Sequence, residues 1–178
     1  MIQKRILSLI RQFKKKVLDC RGFTLLEFII VCALIAIFIS FTPMFFRVLE
    51  RQRLHATAYL MVADLRLVQQ YSINGDMDYS IHFDPVNDRY LLQKGVFSHK
   101  TTYLPGGINL VDTNFNFENS PHNCDHKLRF NLRGEPVRKN GALIGGHVSI
   151  CNKYDEYLYV IVASITGRVR VDSKPPSS

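Results

Sequence analysis

The chain has 178 residues, 47% of them hydrophobic, a formal charge of +8 and four cysteines. That length has room for one modest folded domain beside a membrane segment, and not for a large multidomain enzyme. Seven basic side chains (Lys4, Arg5, Arg11, Lys14, Lys15, Lys16 and Arg21) stand against Asp19 within residues 1–22, so the high charge belongs to the start of the chain and does not by itself argue for nucleic acid.

Within residues 1–22, Ile2, Ile6, Leu9, Ile10, Phe13 and Val17 recur at helical spacing among Lys and Arg. This pattern predicts a segment that lies on an acidic membrane surface. From Phe28 to Phe46 the apolar run is interrupted only by Cys32, Ser40, Thr42 and Pro43, and a bilayer is crossed by roughly 20 mostly apolar residues. The Lys and Arg on its N-terminal side place that side in the cytoplasm. A secretory signal peptide would end in a small-residue cleavage site after the apolar core; Phe41-Thr-Pro-Met-Phe-Phe46 offers none, so the run is expected to be retained. Glu27, at the start of the run, costs a few kcal/mol in hydrocarbon unless it is neutralised or paired.

Beyond Pro43, where a bend or loosened turn is expected, Leu54, Ala58, Met61, Leu65 and Val68 follow alternating steps of four and three. Arg47, Arg51, Arg53, Asp64 and Arg66 lie off that stripe. The spacing predicts an amphipathic helix that covers a β-sheet and stops at Ile73-Asn74-Gly75. Short strands follow. Tyr79–Phe83 and Arg89–Gln93 flank Asp84-Pro-Val-Asn-Asp88 and read as a hairpin; a calcium loop is the alternative for that acidic turn, although turn chemistry alone explains its residues. Ile108–Val111, Lys127–Leu132, His147–Cys151, Tyr157–Ala163 and Ile165–Val171 are further strands, and Tyr157–Ala163, the most apolar, is expected at the centre of the sheet. Residues 113–126 read as a polar surface loop and 141–146 as a flexible connector. Lys174–Ser178 reads as a disordered tail.

Cys124 and Cys151 fall in the exported part, where oxidising conditions favour disulfides. A bridge between them would contribute about 3 to 4 kcal/mol. Two buried thiols, or a metal held by His122, Cys124 and His126, are the alternatives, and the latter spacing matches no common zinc motif. No catalytic triad, P-loop or paired metal motif is present in the sequence, so neither an enzyme nor a cofactor is expected.

Arg21-Gly22-Phe23-Thr24-Leu25-Leu26-Glu27, followed directly by the apolar run, resembles the processing site of type IV prepilins. The resemblance implies that a prepilin peptidase cuts after Gly22, that the new N-terminal Phe23 is methylated, and that Glu27 stays in the mature helix. In a filament Glu27 would then meet the amino group on Phe23 of a neighbouring subunit and set axial register. The implied divisions are a leader at 1–22, a transmembrane and assembly helix at 23–46, an amphipathic continuation at 47–75, an exported β-rich domain at 76–172 and a tail at 173–178.

Ala63-Asp-Leu-Arg66, Leu128-Arg-Phe130 with Gly134, and Ser164-Ile-Thr-Gly-Arg-Val-Arg170 are similar to the GspH/FimT family. That similarity implies an α+β, type IV pilin-like fold: a long N-terminal helix packed on a C-terminal antiparallel β-sheet domain. It also implies a minor subunit near the tip of a type II secretion pseudopilus or of a type IV pilus. The implied location is a single pass of the inner membrane. The partners are other minor and major pilins or pseudopilins, the prepilin peptidase and the inner-membrane assembly platform. In the FimT subgroup a Gly-Arg-x-Arg segment binds DNA, and Gly167-Arg168-Val169-Arg170 fits it. In an extended segment Arg168 and Arg170 share a face, where with Lys174 they could meet the phosphates of double-stranded DNA without reading sequence. Arg133, Arg138 and Lys139 extend the patch if the fold brings them near. Charged residues that protect an edge strand, a pseudopilin without DNA binding, and an anchored protein that never polymerises are the alternatives.

Overall fold

The computed structural model describes residues 24–76, 78–118 and 125–176. One helix, α1 (Leu25–Ile73), runs through Pro43, and two compact units meet in sequence between Pro43 and Met44. In the first unit every described side chain from Thr24 to Ser40 is exposed. An apolar surface on all sides is what lipid or neighbouring helices select, since it has no face of its own to bury; the segment is long and apolar enough to cross a membrane.

In the second unit the helix changes character. Leu54, Ala58, Met61, Leu65 and Val68 are each at most 1% exposed, as their spacing predicts. The helix then ends in a Schellman arrangement: Gly75 takes φ +96°, its N–H donates to Ser72 O at 3.1 Å, and the Asp76 N–H donates to Tyr71 O at 3.0 Å. Glycine is suited to this left-handed turn because it has no Cβ to clash.

Among the described residues nine strands form two antiparallel sheets. The first has the order β3 (Phe97–Tyr103), β2 (Arg89–Lys94), β1 (Tyr79–Asp84), β5 (Lys127–Phe130), β6 (Pro136–Val137). The second has the order β4 (Ile108–Thr113), β7 (Gly146–Asn152), β8 (Tyr157–Val162), β9 (Val169–Asp172). The helical stripe, Ile81, Phe83, Tyr90 and Leu92 of the first sheet, and Val148, Ile150, Val160 and Val162 of the second form one core. The β8 strand is interior, between β7 and β9, in line with its apolar sequence.

The predicted β1–β2 hairpin is present, with Tyr79 opposite Lys94 and Asp84 opposite Arg89. Its connection is a 3-10 turn, Pro85–Asn87. Asp84 accepts from the Asn87 N–H, the Asn87 side chain (2.7 Å) and Arg89 Nε (2.9 Å), so turn chemistry accounts for this carboxylate. Asp88 accepts from the Leu110 N–H at 2.8 Å, tying the hairpin to the second sheet.

Four expectations need correction. The strand β3 was not anticipated, because nearly all its side chains are exposed and it shows no apolar alternation. The 113–126 segment is not wholly surface: Phe115 and Phe117 are buried. The 141–146 connector is anchored by buried Ile144 and by a bridge between Val137 and Leu143. Asp64, placed with the solvated face of the helix, is only 4% exposed. Its carboxylate accepts from Tyr90 Oη at 2.7 Å and from Lys100 Nζ at 2.7 and 2.8 Å. A buried carboxylate is tolerated when it is paired and hydrogen-bonded, and here the partners come from two neighbouring strands. Burial, with the adjacent Asp64, in turn pushes the Tyr90 hydroxyl well above the usual tyrosine range.

Candidate functional site

At the head of α1, Gly22 and Phe23 lie outside the described residues. Glu27 is described and exposed. Its N–H donates to Thr24 Oγ1 at 3.2 Å, which makes Thr24 the helix N-cap and puts Glu27 at the third helical position, the sequence pattern of a capping box. The carboxylate therefore sits in the first turn, where the helix dipole favours negative charge. Cys32 is an exposed thiol on the same helix.

The second predicted cluster lies at the edge strand β9. Val169 and Val171 face the core side; Arg168 and Arg170 are exposed on the opposite face, as the period of two requires. Arg170 stands opposite Ile161 of β8. The chain reaches β9 through a short, internally bonded turn. Ala163 N–H donates to Arg168 O at 3.0 Å, Gly167 N–H donates to Ala163 O at 3.0 Å, and Arg168 N–H donates to Thr166 Oγ1 at 3.3 Å. Lys174 follows β9, its N–H donating to Asp172 Oδ1 at 3.2 Å.

Gly167 has a different situation from the arginines that follow it. It is buried, with φ +61°, and a Cβ there would run into the carbonyl oxygen of Gly134 and come within 2.6 Å of Gln69 Nε2. Both of its peptide hydrogen-bonding groups are already engaged, the N–H by Ala163 and the oxygen by Gln69 Nε2 at 3.1 Å. The glycine thus shapes the turn and offers no free donor to a ligand. Gln69 Nε2 also donates to Gly134 O at 2.6 Å. One helical amide therefore holds the β5–β6 turn and the β8–β9 turn together.

Gln69 was not anticipated as a site residue. The only signal available was a polar residue beside Leu65, Val68 and Ser72, along the border of the buried stripe. Of the basic residues that were to extend the patch, Arg133 lies next to Gly134 and is exposed. Arg138 and Lys139 line a separate hollow of about 410 Å³ with Phe117 and Arg129, and Lys139 is 3.7 Å from Glu118. Cys151 is a buried thiol at 8% exposure, its pKa raised first by burial and further by Asp155 and Asp88. Its expected partner, Cys124, lies outside the described residues. Among the described residues there is no cluster of three or more His, Cys, Asp or Glu able to hold a metal.

Residues 18–42 match the prokaryotic N-terminal methylation motif. Among solved structures, the type IV minor pilin FimU of Pseudomonas aeruginosa PAO1 covers 72% of this chain and 96% of its own, at 16% identity and a TM-score of 0.52. The chain has a type IV pilin-like fold. Two structures of the minor pseudopilin EpsH from the type II secretion system of Vibrio cholerae are also similar. They cover 67% and 71% of this chain, and 95% and 98% of their own, at 20% and 18% identity with TM-scores of 0.47 and 0.49. No curated protein sequence matches. The pilin-like fold assigns the two halves of α1 to two settings, an apolar N-terminal half and a half packed on the β domain.

Proposed function

We propose that this protein is a minor pilin or pseudopilin of the GspH/FimT kind, a structural subunit at or near the tip of a type IV pilus or type II secretion pseudopilus. A prepilin peptidase cleaves it after Gly22, Phe23 becomes the methylated N-terminus, and Glu27 pairs with the Phe23 amine of a neighbouring subunit. It enters the filament from a single-pass position in the inner membrane through the assembly platform, with residues 44–178 outside the cytoplasm. Other major and minor subunits are its partners.

The observation that carries this reading is the continuity of the methylation motif at residues 18–42 with a helix whose described side chains from Thr24 to Ser40 are all exposed. Mass spectrometry of the membrane-purified protein is expected to find a chain that starts at N-methylated Phe23. An intact Met1 form from cells with active peptidase overturns it.

The sharper part of the proposal is capture of double-stranded DNA through Arg168 and Arg170, aided by Lys174. Its support is that two exposed guanidiniums share one face of an edge strand and that no carboxylate lies within ion-pairing distance of either among the described residues. Most other arginines and lysines of the domain are paired: Arg47 and Arg51 with Glu156, Arg89 with Asp84, Lys94 with Asp76, Lys100 with Asp64. Residues 44–178 should retard duplex DNA at low salt and cease to do so with Arg168→Ala and Arg170→Ala. No retardation by the parent domain leaves a pilin or pseudopilin that does not bind DNA.

We also propose that Cys124 and Cys151 are bridged. Residues 44–178 contain no other cysteine. After unfolding without reductant they should take up no alkylating agent; two added groups would show free thiols.

A further inference from the structure

We propose that Gln69 joins two turns from different sheets into one anion-binding surface, and that Arg133 is a third phosphate contact beside Arg168 and Arg170. This rests on the DNA-capture reading above and adds to it both a contact residue and a positioning residue.

The geometry starts from two glycines. Gly134 (φ +76°) closes the β5–β6 turn and Gly167 (φ +61°) closes the β8–β9 turn. Any Cβ on Gly167 would meet Gly134 O, and one on Gly134 would come within 2.9 Å of Ile73 Cδ1 and 3.2 Å of Gln69 Nε2. The two backbones therefore touch, and glycine at 167 is what allows it, while Gly134 is favoured by its positive φ. Two carbonyl oxygens brought this close repel each other unless a donor lies between them. Gln69 Nε2 is that donor, at 2.6 Å from Gly134 O and 3.1 Å from Gly167 O.

Arg133 and Arg168 are each one residue from this contact. Consecutive Cα atoms are about 3.8 Å apart, so with the gap between the two glycines both arginines leave the backbone within about 14 Å of each other, close enough for one extended polyanion to meet both. Both turns are fixed internally as well as to each other. Asn131 Oδ1 accepts from the Arg133 and Glu135 N–H groups at 2.9 and 3.0 Å, and Asn131 Nδ2 donates to Glu135 Oε2 at 2.7 Å. That last bond occupies the one carboxylate of the turn. Arg133, Arg168 and Arg170 are all exposed; Asp172, two residues past Arg170 on the same face, bounds the patch on that side. A surface fixed before the ligand arrives loses little freedom on binding, which is the advantage of holding the arginines on clamped turns.

The test uses residues 44–178, whose core lies wholly within residues 54–169, with duplex DNA as the probe and affinity measured across a salt series. Each phosphate contact contributes about 0.9 to the slope of log affinity against log salt. Arg168→Ala or Arg170→Ala, made singly, should lower the slope by about 0.9, and Arg133→Ala alone by the same amount. Gln69→Met keeps every arginine and removes the donor. It should lower the slope by a similar amount, and combining it with Arg133→Ala should add nothing further, because both remove the same contact. A merely structural Gln69 would change the melting temperature without that non-additivity. An unchanged slope for Arg133→Ala, or fully additive losses with Gln69→Met, overturns this inference while DNA capture by Arg168 and Arg170 stands. Should Gln69→Met fail to fold, Arg133→Ala, in an exposed turn, decides alone. A parent domain that binds no duplex removes both readings.

Discussion

The two halves of α1 share a backbone conformation and little else. From Thr24 to Ser40 all side chains are exposed and the only charge is Glu27. From Met44 to Ile73 a narrow stripe is buried to within 1%, and two carboxylates, Glu50 and Asp64, are buried beside it. Glu50 Oε1 is 3.1 Å from Lys153 Nζ and 3.3 Å from Arg53, while Asp64 is held by Lys100 and Tyr90. The C-terminal half thus has partners for its buried charges within the chain. The apolar half shows none for Glu27 among the described residues, and the proposed filament contact is what would supply one. The difference teaches that a helix which is complete as secondary structure can still be unfinished as a packing unit.

The largest expected effect breaks this comparison at Glu27. Glu27→Ala should cut incorporation into sheared filaments about tenfold or more, the result of losing roughly 1.4 kcal/mol or more of pairing, while leaving the stability of the β domain unchanged. Incorporation equal to the parent would remove the electrostatic account of register. Next, Leu65→Ala and Leu34→Ala delete the same atoms from the two halves. The first should destabilise the domain by about 3 kcal/mol in urea unfolding, because Leu65 is fully buried. The second, at a side chain 50% exposed, should change it by less than about 0.5 kcal/mol.

Asp64→Ala sharpens the comparison further. It removes the carboxylate that accepts from the buried Tyr90 hydroxyl and should cost about 2 kcal/mol, with the effect reduced if Tyr90→Phe is already present, as a double-mutant cycle would show.

The smallest effect is a pH dependence confined to the β-rich unit. Burial lowers the pKa of His82, opposed by Asp84 and assisted by His126 and Lys127, with Asp125 opposing. A lowered folded value means that the unfolded chain protonates first. Stability should therefore fall as pH drops below about 6.5 and level off once the folded imidazole is also protonated. Asp84 is held below the usual carboxylate range, chiefly by its bond from the Asn87 side chain. Its contribution is present above about 3.9 and is lost as pH falls through the lower folded value. His82→Gln should flatten the first fall and leave the second.

Much of the fold was legible because periodicity reports solvent. The steps of four and three from Leu54 to Val68 name the buried stripe residue by residue, and alternation in Tyr79–Phe83 and the continuous apolar run in Tyr157–Val162 name two strands. Where alternation is missing, as in Phe97–Tyr103, the strand is held by backbone pairing to β2 and leaves no trace in side-chain chemistry. The face shared by Arg168 and Arg170 could be read from spacing, and the burial of Asp64 could not, since a carboxylate beside an apolar stripe is ordinarily solvated unless a cation from a distant strand reaches it.

The sequence by itself determined the apolar span, the position of Glu27 at its head, the end of the helix at Gly75 and the outward face shared by Arg168 and Arg170. These depend on neighbours a few residues away, through helical turns and strand pleat. Only the tertiary structure decided that there are two sheets, that Asp64 and Lys100 meet across 36 residues, and that Gln69 bridges Gly134 and Gly167, 65 and 98 residues distant. Contacts of that range are set by how the sheets close around the core, a property of the assembled chain that no local pattern encodes.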